Sequence, residues 1–208
     1  MDFSLGEDIR MTRSMVRRFV RDELFPLEPL VIRRESERGM SDDPILPKEV
    51  EDRIQAKARE LGLWGIDAPE EFGGQNLGAL MKCVVVEEMK HSIVPLVLPP
   101  DSPNLYYLKQ QCSPDQARRY LDPYVKGEKK SCLALSEPGA GSDASAIEMR
   151  AVQRDGKWVL NGQKIWISNA RRADFMIVIA VTDPAKKARG GMTAFLVDKG
   201  TPGVTIPS

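Results

Sequence analysis

The sequence predicts an α+β protein, in which an all-α domain over residues 1–130 precedes an antiparallel, β-barrel-like domain over residues 131–208. Before about residue 130, apolar residues recur at the spacing of amphipathic helices. After it, β-rich runs alternate with Asp-Gly and Asn-Gly pairs at 155–156 and 161–162, the strongest two-residue hairpin signals. This change of period places the domain boundary near residue 130.

Four helices are predicted in the all-α domain. The first should be kinked or interrupted at Pro26 and Pro29, because proline removes a backbone donor and clashes with the preceding turn. Gly62 follows the second helix, and Ser113 is a good N-cap for the fourth. The predicted helices cover residues 8–35, 47–61, 77–91 and 114–125.

The second domain is predicted to contain short strands. An apolar strand leads into a glycine-rich loop, and three antiparallel strands then form a meander around the two hairpin signals. Two further strands are joined by a polar loop, and another strand begins near the end of the sequence. After the loop, the predicted strands cover residues 149–154, 158–160, 164–168, 175–182, 192–198 and 204–206.

Composition excludes several classes of protein. With 208 residues, 42% of them hydrophobic, the chain can bury a sizeable core. A formal net charge of 0 argues against nucleic acid or a membrane surface as the main partner. The longest apolar runs, such as 175–181, are too short to span a bilayer, and the N-terminus lacks the order of a signal peptide. A cytoplasmic location is expected.

The cysteines and the single histidine argue against a metal site. Cys83, Cys112 and Cys132 are odd in number and widely spaced, so neither a disulfide framework nor a zinc site is expected. His91 is the only histidine, which excludes multi-histidine sites and leaves no supported serine-histidine triad. No metal ligand is predicted.

The glycine-rich loop over residues 133–146 is the strongest candidate for a ligand site. Gly139 and Gly141 permit backbone conformations that are closed to other residues, and Pro138 fixes one φ angle. Backbone amides between them can point at phosphate or ring oxygens. A plain turn after a strand is the alternative interpretation of this segment alone.

Several motifs in the same order resemble the acyl-CoA dehydrogenase family. Residues 134–143 read Ala-Leu-Ser-Glu-Pro-Gly-Ala-Gly-Ser-Asp, which is similar to the signature at the start of that family's middle β domain. Residues 161–169, Asn-Gly-Gln-Lys-Ile-Trp-Ile-Ser-Asn, resemble its second flavin segment. Further similar stretches lie at 61–65, 69–74 and 190–198. Together they cover almost the whole chain.

The resemblance implies that FAD lies against the β domain. Residues two apart on a strand face the same way, so Trp166 and Ser168 would project together toward the isoalloxazine ring and its N5 region. Ser142 would also contact the CoA portion of the substrate. The cofactor-binding residues that the resemblance implies are Leu133, Leu135, Ser136, Gly141, Ser142, Trp166, Ile167 and Ser168.

The implied reaction is α,β-dehydrogenation of a fatty acyl-CoA, in which a carboxylate removes the α-proton as hydride leaves the β-carbon for flavin N5. In the family that base is a glutamate of a C-terminal helical domain, and this sequence stops at Ser208, before any such domain. Glu137 and Asp143 flank the loop, but the family gives neither this role. No catalytic residue is assigned.

The resemblance also implies partners and leaves alternatives open. An electron-transfer flavoprotein or similar acceptor, a homo-oligomeric state of the full-length protein, and a mitochondrial or peroxisomal location in a eukaryote are expected. One alternative is a truncated, non-catalytic member that binds FAD, acyl-CoA or a protein partner. Another is an acyl-CoA oxidase or related flavin monooxygenase. The proline-rich segment 99–107 does not indicate the acyl chain length.

Overall fold

The computed structural model describes residues 4–39, 41, 43–98, 100, 102–186 and 188–207. The chain forms two compact units, which divide between Ser102 and Pro103. Unit 2 therefore contains helices as well as strands, while the predicted domain boundary near residue 130 stays a prediction. Within the described ranges, no helix is both long and apolar enough to cross a membrane.

Unit 1 is helical, and its first predicted helix is interrupted as expected. A π-helical turn at Val20–Leu24 and a 3₁₀ turn at Phe25–Leu27 lie between α1 and α2, because Pro26 cannot continue the α-helical hydrogen bonds. Pro29 is tolerated since it lies in the first turn of α2. The helices are α1 (Glu7–Phe19), α2 (Glu28–Arg38), α3 (Lys48–Glu60) and α4 (Gly78–Met89).

The core of unit 1 is built from apolar side chains of these helices. Val16 of α1, Leu24 of the π-helical turn, Ile54 of α3 and Val85 of α4 have no exposed surface. These positions follow the helical spacing of apolar residues in the sequence. Burying each of these side chains contributes about 2 kcal/mol.

A buried carboxylate links α4 to α1. Glu88 is 1% exposed and accepts hydrogen bonds from Arg13 Nε at 2.6 Å and from Arg17 Nη2 at 2.8 Å. The hydrogen bond and charge of Arg17, helped by Arg13, outweigh the effect of burial and lower the pKa of Glu88 to about 2. The ionised carboxylate therefore stabilises unit 1.

We expect Glu88→Gln to lower the free energy of unfolding at neutral pH by about 2 kcal/mol, a value discounted because solvent screens the partly exposed arginines. Since the folded pKa is about 2 and the ordinary value 4.5, this stabilisation is present above 4.5 and disappears as the pH falls toward 2. Urea unfolding of both proteins across this pH range measures the difference.

The control for this prediction is Glu35→Gln, which removes the carboxylate of an exposed ion pair with Arg38 on α2. Its effect should be much smaller than that of Glu88→Gln, because solvent screens exposed ion pairs. Equal losses in the two variants, or a Glu88→Gln difference that persists in acid, would contradict the assigned role of Glu88.

Unit 2 begins with helices that pack on its sheet. The rings of Tyr120 and Tyr124 contact Phe175, with ring centroids 4.9 Å and 6.4 Å apart. Ser113 forms the expected N-cap, and its side chain and that of Gln116 form a reciprocal capping box. The helices are α5 (Ser102–Gln111), α6 (Pro114–Gln116) and α7 (Asp122–Val125), with a π-helical turn at Ala117–Leu121.

Helix α5 is not among the predicted helices. Its first residues belong to the proline-rich segment 99–107, of which residues 99 and 101 lie outside the described residues. Pro103 is compatible with this helix because the first turn needs no donor from its backbone nitrogen.

The sheet of unit 2 is mixed. The α+β class is confirmed, but β1 and β2 run parallel to β4, and only the β2–β3 and β4–β5 pairs are antiparallel. A wholly antiparallel domain is thus not observed, because the long connections from β1 and β2 to β4 permit parallel pairing. The strands are β1 (Ser131–Ala134), β2 (Arg150–Arg154), β3 (Lys157–Asn161), β4 (Phe175–Val181) and β5 (Met192–Asp198).

One of the two hairpin signals forms a hairpin. Asp155 and Gly156 have φ angles of +49° and +73° and connect β2 to β3, as a turn with two left-handed residues requires. The predicted strand 164–168 is wrong, since Trp166 has a φ of +56° and leaves the extended region. The predicted strand 204–206 is also absent.

Candidate functional site

The glycine-rich loop lies along one edge of β4. β5 pairs with the full length of β4, so β1 and β2 share its other edge, β1 against Phe175–Val178 and β2 at Val181. The Val181 amide donates to the carbonyl of Met149 at 2.7 Å, just before β2 begins. The loop therefore leaves this edge after β1 and returns to it at residue 149.

A tight turn opens the loop. The amide of Glu137 donates to the carbonyl of Ala140 at 2.9 Å, and the amide of Ala140 donates back at 3.0 Å. Gly139 and Gly141 do not have positive φ angles, so the expectation that they adopt conformations closed to other residues is wrong here. A Cβ atom at either glycine would meet nothing within 4 Å, so both face open space.

The Glu137 carboxylate is buried beneath this turn. It accepts hydrogen bonds from the backbone amides of Glu148 at 2.6 Å and Met149 at 3.0 Å and from Lys164 Nζ at 2.7 Å. Both ionic side chains are 7% exposed. Burial raises the pKa of Glu137, but Lys164 and the two amides outweigh it, so the pKa lies below its ordinary value. Glu137 is therefore ionised at neutral pH.

Two segments distant in sequence meet at the start of this loop. Lys164 Nζ donates to the carbonyl of Leu135 at 2.9 Å, and the amide of Ile165 donates to the carbonyl of Ser136 at 2.9 Å. Gly162 lies next to Met149, where a Cβ atom would come within 2.8 Å of the Met149 Cα. These contacts link the two segments that contain predicted cofactor-binding residues, 133–136 and 166–168.

The second segment presents an unusual tryptophan. Trp166 is 89% exposed, and its φ angle of +56° is rare for a bulky residue. Ile167 turns the other way and packs against the apolar cluster that contains Cys132 and Met176. Because there is no strand here, the expectation that Trp166 and Ser168 project together from a strand is not met, although both are exposed.

The remaining predicted residues fall into two groups. Leu135 packs against a small cluster that includes Ala140 and Val181, and Leu133 is half-buried in β1. The exposed residues are Gly141 and Ser142 in the loop and Ser168 in the second segment, and Ser136 is half-buried.

Asp143, the second carboxylate of the loop, accepts hydrogen bonds from Ser145. Its Oδ1 accepts from the Ser145 amide at 2.9 Å and from the Ser145 hydroxyl at 2.5 Å. These bonds lower the pKa of Asp143 below its ordinary value. The carboxylate therefore begins the short 3₁₀ turn Ala144–Ala146, a local structural role.

The sequence did not predict two other features of unit 2. Lys164 and Gly162 lie inside the resembling motif, but nothing in their spacing indicated the contacts with Glu137 and Met149. A separate groove of about 470 Å³ is lined by Arg119, Trp158 and Phe195 among others, and no predicted site residue lines it. Among the described residues, no group of three or more His, Cys, Asp or Glu could hold a metal ion.

Family models match both parts of the chain. The N-terminal domain of acyl-CoA dehydrogenase matches residues 6–128, and the middle domain of acyl-CoA dehydrogenase matches residues 132–208. This order of an all-α domain and a strand-containing domain defines the class of protein. The chain belongs to the acyl-CoA dehydrogenase family.

Individual proteins agree with this assignment. The chain is 43% identical over 212 residues to (R)-benzylsuccinyl-CoA dehydrogenase of Thauera aromatica, covering 99% of this chain and 52% of that protein. A putative acyl-CoA dehydrogenase from Mycobacterium abscessus matches with a TM-score of 0.85 and 28% identity, over 99% of this chain and 54% of that one. The FAD complex of PigA matches with a TM-score of 0.72 and 28% identity, over 100% of this chain and 53% of that one. The chain spans about half the length of the curated relatives it matches.

Proposed function

We propose that this chain binds FAD through residues 133–136, the loop at 141–142 and the segment 166–168. The protein to which it belongs then catalyses α,β-dehydrogenation of an acyl-CoA thioester. The observation that carries this proposal is the pair of contacts from Lys164 and Ile165 to the carbonyls of Leu135 and Ser136, which hold the two segments together. The FAD complex of the similar protein PigA supports the choice of cofactor.

The residues present fit a planar, polar-edged cofactor. The indole of Trp166 is 89% exposed, so both of its faces are free to stack on an aromatic ring. Within the described ranges, the hydroxyls of Ser136, Ser142 and Ser168 form no hydrogen bond with other residues, which leaves them free for ring or phosphate oxygens and nitrogens. The open space beside Gly139 and Gly141 leaves room for a ligand.

The exposed and half-buried side chains of these segments then bind and orient the cofactor. Trp166 covers a face of the ring, Ser136 and Ser168 orient its edge, and Ser142 contacts the CoA portion of the substrate as well as the cofactor. Bound FAD supplies the acceptor for the hydride removed from the acyl chain. An electron-transfer flavoprotein or similar acceptor and a homo-oligomeric assembly are proposed for the whole protein.

We expect that the 208-residue chain reconstituted with FAD does not bleach the flavin absorbance when an acyl-CoA is added. Glu137 is buried and paired with Lys164, and the hydrogen bonds from Ser145 lower the pKa of Asp143, so both carboxylates are poor acceptors for the α-proton. Anaerobic addition of short-, medium- and long-chain acyl-CoAs measures this, and dithionite, which reduces the flavin directly, is the positive control. Bleaching by any of these acyl-CoAs would show that a base is present in the chain.

Because both carboxylates are poor proton acceptors, a second candidate for the chain by itself is binding of FAD without turnover. Equilibrium dialysis against FAD tests binding, and acyl-CoA bleaching separates the two candidates. We expect the chain to retain FAD in a one-to-one ratio, and heat-unfolded chain to retain none. Folded chain that retains no FAD would overturn the proposed function.

A further inference from the structure

We propose that Glu137 and Lys164 form a positioning pair that sets the separation of the two cofactor-binding segments. Neither side chain is assigned to the cofactor or to the substrate, and both are 7% exposed. This inference rests on the proposed function, because the two segments that the pair positions are those proposed to bind FAD.

The pair joins three parts of the site. Lys164 Nζ donates both to Glu137 Oε1 at 2.7 Å and to the carbonyl of Leu135 at 2.9 Å. The other hydrogen bonds of the carboxylate come from the amides of Glu148 and Met149, where the loop returns to the sheet. The end of β1, the end of the loop and the second segment are therefore fixed to one another by two side chains.

Glu137 and Lys164 are each close in sequence to a residue that is proposed to contact FAD. Glu137 directly follows Ser136, and Lys164 lies two residues before Trp166. Because Trp166 lies outside any strand, no ladder of backbone hydrogen bonds fixes its segment. The polar contacts that fix it are those of Lys164 and the bond from the Ile165 amide to Ser136, and the packing of Ile167 adds to them.

Charge explains why an ion pair suits this task. Burying two ions costs free energy that their attraction and hydrogen bonds only roughly offset, so the pair adds little net stability. It does impose a narrow geometry, because either ion left without the other is strongly unfavourable in a buried site. The pair therefore fixes position more than it stabilises the fold.

The test compares Glu137→Gln, Lys164→Met and the double variant E137Q/K164M. Each single variant leaves one buried charge unpaired and should lower the melting temperature, whereas the double variant removes both charges and should melt close to the wild type. The double variant also lacks the bond to the carbonyl of Leu135. We therefore expect it to bind FAD about 10-fold more weakly or worse, with an altered absorption band of the bound flavin at saturation.

The matched control removes an exposed ion pair of the same unit, with Arg119→Gln combined with Asp198→Asn. This control should keep both FAD affinity and the flavin spectrum. A double variant E137Q/K164M with wild-type affinity and spectrum would overturn the positioning role while the proposed function stands. Wild-type chain that binds no FAD would overturn both.

Discussion

Gly162→Ala is expected to lower the free energy of unfolding of unit 2 by about 3 kcal/mol. A Cβ atom at this position would come within 2.8 Å of the Cα, Cβ and Cγ atoms of Met149, and the φ angle of +154° is one that side chains rarely adopt. The backbone of Met149 cannot yield without moving the end of the loop. The segment 162–168 must therefore shift, and FAD affinity should fall by about 10-fold or more.

Gly156→Ala is the matched control for this substitution. Gly156 also has a positive φ angle, +73°, but a Cβ atom there would meet nothing within 4 Å. Its cost should be only about 1 kcal/mol, with FAD affinity unchanged. Urea unfolding and FAD dialysis measure both effects, and similar losses in the two variants would contradict the importance of the approach between Gly162 and Met149.

Trp166→Ala is expected to weaken FAD binding by roughly 10- to 100-fold, since stacking of a ring on an aromatic side chain contributes about 1–3 kcal/mol. Stability should change by less than about 0.5 kcal/mol, because the side chain is 89% exposed and packs on little of the fold. This combination of a large effect on binding and a small one on unfolding is typical of a ligand contact rather than a core residue.

Two companion substitutions sharpen this prediction. Ser168→Ala removes one hydroxyl and should weaken FAD binding by up to about 10-fold. Trp158→Phe changes another exposed tryptophan, which contacts Phe195 with ring centroids 5.3 Å apart, and should leave FAD binding unchanged. If Trp158→Phe weakens binding as much as Trp166→Ala does, the cofactor lies elsewhere.

The sequence predicts helices better than it predicts the loop-rich half of unit 2. Periodic apolar residues with proline and glycine at the ends locate α1 to α4, since these signals act within one element. The run Ile165-Trp166-Ile167 is β-rich, yet the fold takes its backbone out of the extended region at Trp166. Tertiary contacts override local propensity at that point.

The candidate site is predictable in part for the same reason. The resemblance to the acyl-CoA dehydrogenase family predicts Ser136, Trp166 and Ser168 as cofactor-binding residues. In the structure, the contacts of Lys164 and Ile165 hold their two segments together. No spacing rule predicts that Lys164 reaches Glu137, which lies 27 residues earlier, because side chains so distant in sequence meet only through the folded sheet. The parallel pairing of β1 with β4 is equally non-local.

Quenching of tryptophan fluorescence by FAD tests the location of the proposed site most directly. The chain has three tryptophans, so Trp64→Phe with Trp158→Phe leaves Trp166 alone, and Trp64→Phe with Trp166→Phe leaves Trp158 alone. We expect FAD to quench the Trp166-only protein saturably, with the dissociation constant found by dialysis. At FAD concentrations that dialysis shows to saturate each protein, the Trp158-only protein should be quenched far less. Saturable FAD binding without quenching of Trp166 would contradict the site.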